Sequence, residues 1–159
     1  MSWVLIAEQS LNGLQFGLML FLLAAGLTLV FGIMDMINLA HGSLYMLGAF
    51  IAASLVQATG SFAAGILLAI PATALLGMVL EIFLLRHLYR RDHLSQVLAT
   101  FALILILNEA VRLIWGSDAP LPMPESLSGP VELLPGLFYP AYRLLIIGVG
   151  LAVAIFLYV

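Results

Sequence analysis

The sequence predicts an all-α fold, a polytopic transmembrane helix bundle of about five spans with a polar break near residues 35–42. Three observations predict it. Hydrophobic residues make up 64% of the 159 and charged residues only 8%, with a mean hydropathy of +1.21, whereas soluble domains average about 45–50% apolar and about 25% charged. Five runs approach the roughly 20 apolar residues that cross a hydrocarbon core of about 30 Å. The alternation of a membrane β-barrel, in segments of about 10 residues, is absent. A soluble helical bundle is excluded because the charge is too scarce to furnish polar helix faces. Backbone at membrane depth has no water to bond, so each run is expected to be helical.

The spans are expected at 11–34, 43–59, 62–85, 94–115 and 141–159. The N-terminal "MSWVLIAEQS" lacks the basic region and small-residue cleavage site of a removable signal peptide. In the first span Gly13 and Gly17 form a G-x-x-x-G pair, with Ala24 seven residues further on, which predicts close helix packing. The second span is short unless part of 35–42 also lies at membrane depth. Between the third and fourth, "RHLYRRDH" holds Arg86, Arg90 and Arg91, three of the five basic residues. The positive-inside rule places this 86–93 loop in the cytoplasm and the N-terminus on the periplasmic side. Arg112 and Arg143 run against that trend.

The connection "GSDAPLPMPESLSGPVELLPGLFYP" holds six of the seven prolines, with Asp118, Glu125 and Glu132. Proline density stiffens it and prevents a helix, so it is expected to lack regular structure, whether as an outer docking platform or an inert connector. The final "AYRLLIIGVGLAVAIFLYV" stops inside an apolar run without a basic anchor, as a truncated chain would. No internal repeat is visible, and 1–159 reads as a single transmembrane domain.

Chemistry concentrates in "GIMDMINLAHGSLYMLG", residues 32–48. Asp35, Asn38 and His41 would share a face if the stretch were helical. Asn38, His41 and Ser43 can donate and accept hydrogen bonds, and Gly42 loosens the backbone. A metal site fails for want of a third ligand beside Asp35 and His41. A proton relay through His41 stays open, but side chains that cap backbone freed between two helices fit the residues better. Asn108 is a candidate interhelical hydrogen bonder. Glu109 and Arg112, three apart, form a structural ion pair, and Glu81 snorkels toward water near the arginine loop. No P-loop, nucleophilic triad or paired carboxylate is present, so catalytic residues, a metal and a cofactor are not expected. An enzyme using His41 with Asp35 or Glu81 lacks a nucleophile. A net charge of −3 without lysine argues against a nucleic-acid partner, and without cysteine there are no disulfides.

Taken together, these stretches resemble the branched-chain amino acid permease of bacterial ABC importers. "LNGLQFGLMLFLLAAGLTLVFGIMDMINLAHGSLYMLGAF" is similar to the family's first block, where a glycine-rich helix runs through GLTLVFGI into a polar INLAHG. "LEIFLLRHLYRRDHLSQVLATFALILILNEAVRLIWG" looks like the arginine loop and following span, and "LPGLFYPAYRLLIIGVG" continues the likeness. The resemblance implies a multi-pass inner-membrane permease subunit for branched-chain or other small amino acids. It implies a second permease subunit, cytoplasmic ATPase subunits that bind the ATP, and a periplasmic solute-binding protein. It makes Asn38, His41, Gly42 and Ser43, with Asn108, elements of the transport pathway. Family members run to nearly twice this length, so the chain matches an N-terminal part, and Asp35 stands where a basic or neutral residue is common. The alternatives are a permease for urea or short amides and a small self-contained channel or pore-forming oligomer.

Overall fold

The computed structural model describes residues 3–116 and 124–158, and within them five helices are long and apolar enough to cross a membrane. Helix α1 runs Trp3–Met34 and α2 His41–Thr59. Helix α3, Phe62–Leu80, continues through a π-helical turn at Glu81–Leu85 into the short α4, Arg86–Leu88. Helix α5 is His93–Trp115, α6 is a single turn at Glu125–Ser128, strands β1 (Pro130–Leu134) and β2 (Leu137–Pro140) form a hairpin, and α7 is Ala141–Tyr158. Many large apolar side chains face outward, such as Phe16 at 62% and Phe156 at 80% exposure. Such surfaces belong against lipid rather than water.

Contacts group the described residues into two compact units, residues 3–26 with 124–158 and residues 27–116. In the second unit, α2 and α3 join through Gly60, at φ 65°, and Ser61, whose hydroxyl caps α3 by accepting from the Ala64 N–H at 3.4 Å. The two helices touch at Gly65, where an added Cβ would lie 2.6 Å from Val56 Cα. Helix α5 starts at an N-cap, Asp92, which accepts from the Ser95 N–H at 3.1 Å and its hydroxyl at 2.6 Å. Its buried stripe is Gln96, Thr100, Leu103, Leu107 and Val111, the spacing of one helix face. Leu103, Leu107 and Val111 pack with Met36, Ala40, Leu47 and Leu85. Further along, Trp115 donates to Ser54 Oγ at 2.6 Å and its ring meets Phe50 at 5.4 Å, which ties α5 to α2.

In the first unit the hairpin turns at Pro135–Gly136, with Gly136 at φ 83°. That is the pattern of a proline–glycine turn in which only the second residue needs positive φ. Tyr139, 2% exposed, packs with Leu18 and Ile147 and donates its hydroxyl to Asn12 Oδ1 at 3.1 Å. Arg143 donates to the same Asn12 oxygen and, at 3.0 Å, to the Tyr142 hydroxyl.

Four expectations change. The first helix begins at Trp3, eight residues early, because Glu8, Gln9, Ser10 and Asn12 lower hydropathy without breaking helical backbone. The third span runs on through the π turn to Leu88. The proline-rich connection contains α6 and a hairpin, since Pro130 and Pro140 stand opposite each other at the strand ends, where a missing N–H costs little. Gly13 and Gly17 have nothing within 4 Å of where a Cβ would stand. The G-x-x-x-G spacing makes a face fit for close approach, and within its own unit no described helix closes on it. Asp118, Val159 and the side chain of Glu125 lie outside the described residues.

Candidate functional site

The polar break is built by two events in the backbone. Helix α1 stops because Asp35 takes a left-handed conformation, φ 48°, while its N–H still donates to Phe31 O at 2.9 Å. Short polar residues adopt that conformation more readily than others, since their side chains bond locally. Residues 35–38 are therefore not helical, and Asp35, Asn38 and His41 do not share a helix face. Asn38, 4% exposed, folds its Oδ1 back to accept from the Ala40 N–H at 3.0 Å, an Asx turn that leads into α2.

Two further amides of the break are taken up by α5. The Ile37 N–H donates to Gln96 Oε1 at 3.2 Å, and the Leu39 N–H donates to Thr100 Oγ1 at 3.3 Å. Gln96 in turn donates its Nε2 to Leu88 O at 3.2 Å and Arg91 O at 3.1 Å, while Thr100 donates to Gln96 O at 2.8 Å. Two side chains four residues apart thus satisfy backbone that would otherwise be costly to bury. Among the described residues no buried side-chain nitrogen or oxygen lacks a partner. Neither Gln96 nor Thr100 stood out in the sequence. Their only signal was an amide and a hydroxyl on one face of an otherwise apolar span.

The expected site residues divide by environment. Ser43 is buried and donates to Asn108 Oδ1 at 3.3 Å, which brings these two together across α2 and α5. His41 opens α2, half-buried and without a side-chain hydrogen bond to any described residue. Gly42 is exposed, with nothing within 4 Å of where a Cβ would stand. On the exposed face of α5, Arg112 Nη1 stands 3.8 Å from Glu109 Oε2. Glu81 accepts a hydrogen bond from the Tyr89 hydroxyl at 3.1 Å. Burial and that bond to a carboxylate both push the Tyr89 phenol above its ordinary value.

The family described as "Branched-chain amino acid transport system / permease component" matches residues 9–159. The high-affinity branched-chain amino acid transport system permease protein BraD of Pseudomonas aeruginosa is 34% identical over 119 residues, 67% of this chain and 38% of that protein. The corresponding protein LivH is 32% identical in Escherichia coli over 125 residues, and 30% identical in Salmonella typhimurium, covering 72% of this chain and 41% of each relative. The chain thus spans about two fifths of the curated relatives it matches. No solved structure matches it. With the break and its α5 partners inside the matched stretch, the chain belongs to the branched-chain amino acid transport system permease family.

Proposed function

We propose that this chain forms part of the permease of an ABC importer that carries branched-chain or other small amino acids across the inner membrane. The observation that carries the reading is family membership over residues 9–159. Relatives named for high-affinity branched-chain amino acid transport supply the substrate class. On this reading a periplasmic solute-binding protein delivers substrate, a second permease subunit completes the pathway, and cytoplasmic ATPase subunits bind the ATP. The arginines at 86, 90 and 91 support a cytoplasmic turn there and a periplasmic N-terminus.

Within the break, Asn38 and Ser43 hold its shape, since both are buried and bonded. His41, Gly42 and the exposed Asn108 are the pathway-facing members, because the chain itself leaves them room. Glu109 and Arg112 neutralise each other on an outward face. The open face at Gly13 and Gly17 suits the second subunit.

Deleting the gene should abolish high-affinity uptake of leucine, isoleucine or valine, and His41→Ala should reduce uptake without loss of the folded protein. Unchanged uptake in a deletion strain without a redundant system would overturn the proposal. Solute flux through the purified chain in liposomes, without ATP or partners, would instead favour a self-contained channel.

A further inference from the structure

We propose that the end of α3 and α4 is a binding site for a phosphate-bearing anion, supplied by the headgroup of an acidic phospholipid. A cavity of about 630 Å³ is lined by Glu81, Arg86, His87, Tyr89, Arg90 and Arg91. The three guanidinium groups make no hydrogen bond or ion pair with any described residue. The two carboxylates near them accept hydrogen bonds from other side chains. Glu81 accepts from Tyr89, and Asp92 accepts from the Ser95 amide and hydroxyl. With His87 neutral and Glu81 counted, the lining carries a net charge of +2, from three arginines and one glutamate.

The cavity is a built turn rather than a loose tail. The Arg91 N–H donates to Leu88 O at 2.9 Å, and the Gln96 amide holds Leu88 O and Arg91 O together. Three residues before Arg86 and three after Arg91, Phe83 is 76% exposed and Leu94 67% exposed. Unpaired guanidiniums with bare apolar side chains close by in sequence at a span end match the two parts of a phospholipid, a charged head and acyl chains. Arginine suits a phosphate because its planar fork can bond two oxygens at once. The inference rests on the membrane reading of the chain and not on what it transports.

The test is native mass spectrometry of the purified chain from micelles that contain equal phosphatidylglycerol and phosphatidylcholine. Phosphatidylglycerol should be retained preferentially. The combined Arg86→Gln, Arg90→Gln and Arg91→Gln variant should retain it roughly a hundredfold less, and Arg90→Gln alone roughly fivefold less. Arg112→Gln should behave as wild type. Added inorganic phosphate distinguishes the source: failure to displace the lipid supports a headgroup site, and displacement supports a site that also takes free phosphate. Equal retention of the two lipids, or retention unchanged in both arginine variants, overturns the proposal and leaves the membrane reading standing. Retention of neither lipid likewise overturns the proposal.

Discussion

Replacing Gln96 with leucine keeps most of the volume of a side chain that is 2% exposed, and it removes three hydrogen bonds at once. The Ile37 N–H loses its acceptor beside the buried Met36 and Asn38. An unsatisfied buried amide costs about 1–3 kcal/mol. Leu88 O keeps the Arg91 N–H as a donor, so its loss is the smaller one, while Arg91 O gives up the Gln96 donor. Each of these adds about 0.5–1 kcal/mol. The sum is about 3 kcal/mol of destabilisation for Gln96→Leu. Thr100→Val, which costs the Leu39 N–H its acceptor, should lose about 2 kcal/mol. Asn108→Leu, which breaks one bond from an exposed side chain, should lose under about 1 kcal/mol. Equilibrium unfolding of the purified chain in detergent, followed by helix circular dichroism, gives all three values. If Gln96→Leu unfolds within about 0.5 kcal/mol of wild type, or Asn108→Leu costs more than it does, the break is not held by α5 as described.

Three further outcomes are expected from the same unfolding measurement. Asp35→Gly should be neutral or slightly stabilising, because glycine adopts φ 48° freely, whereas Asp35→Val should cost about 1–2 kcal/mol; equal effects would refute the left-handed stop. Gly65→Ala should cost about 1–3 kcal/mol because its Cβ would press on the Val56 backbone, while Gly13→Ala, with nothing within 4 Å of its Cβ, should leave the chain's stability unchanged. Hydrogen bonds from Ser95 hold the Asp92 carboxyl below its ordinary value. Its contribution is therefore fully present above the ordinary carboxylate range and is lost as pH falls through the lowered folded value, so wild type should lose this component on acidification and Asp92→Asn should not.

The five spans were legible because lipid imposes composition on any helix that crosses it, and each predicted run lies largely within an observed helix. The ends were less so. Glu8 and Asn12 lower the hydropathy of a stretch whose backbone is still helical, which hid the start of α1. That "DMINLAHG" interrupts a helix could be seen, but not how, since equal spacing of Asp35, Asn38 and His41 suggested a shared face that a single left-handed residue removes. Gln96 and Thr100 stand 59 and 61 residues from the amides they satisfy, and nothing local in either segment announces the pairing. The hairpin was signalled by Pro135–Gly136, but a count of prolines across the connection obscured the one pair that forms the turn. His41 and Gly42 were visible as unusual residues, and their environments separate them from Asn38 and Ser43 in a way composition could not.

The Gln96 amide group bonds the break on one side and the turn after α4 on the other, so it acts as a mechanical joint. Displacing the 88–91 turn loads the bond to Ile37 as well, because one rigid planar group carries both. Sliding between those segments requires three bonds to part together, whereas rotating them with α5 as a block requires none. A displacement applied at the arginine turn therefore reaches the backbone beside Asn38 through the Gln96 side chain, a path far shorter than the intervening chain.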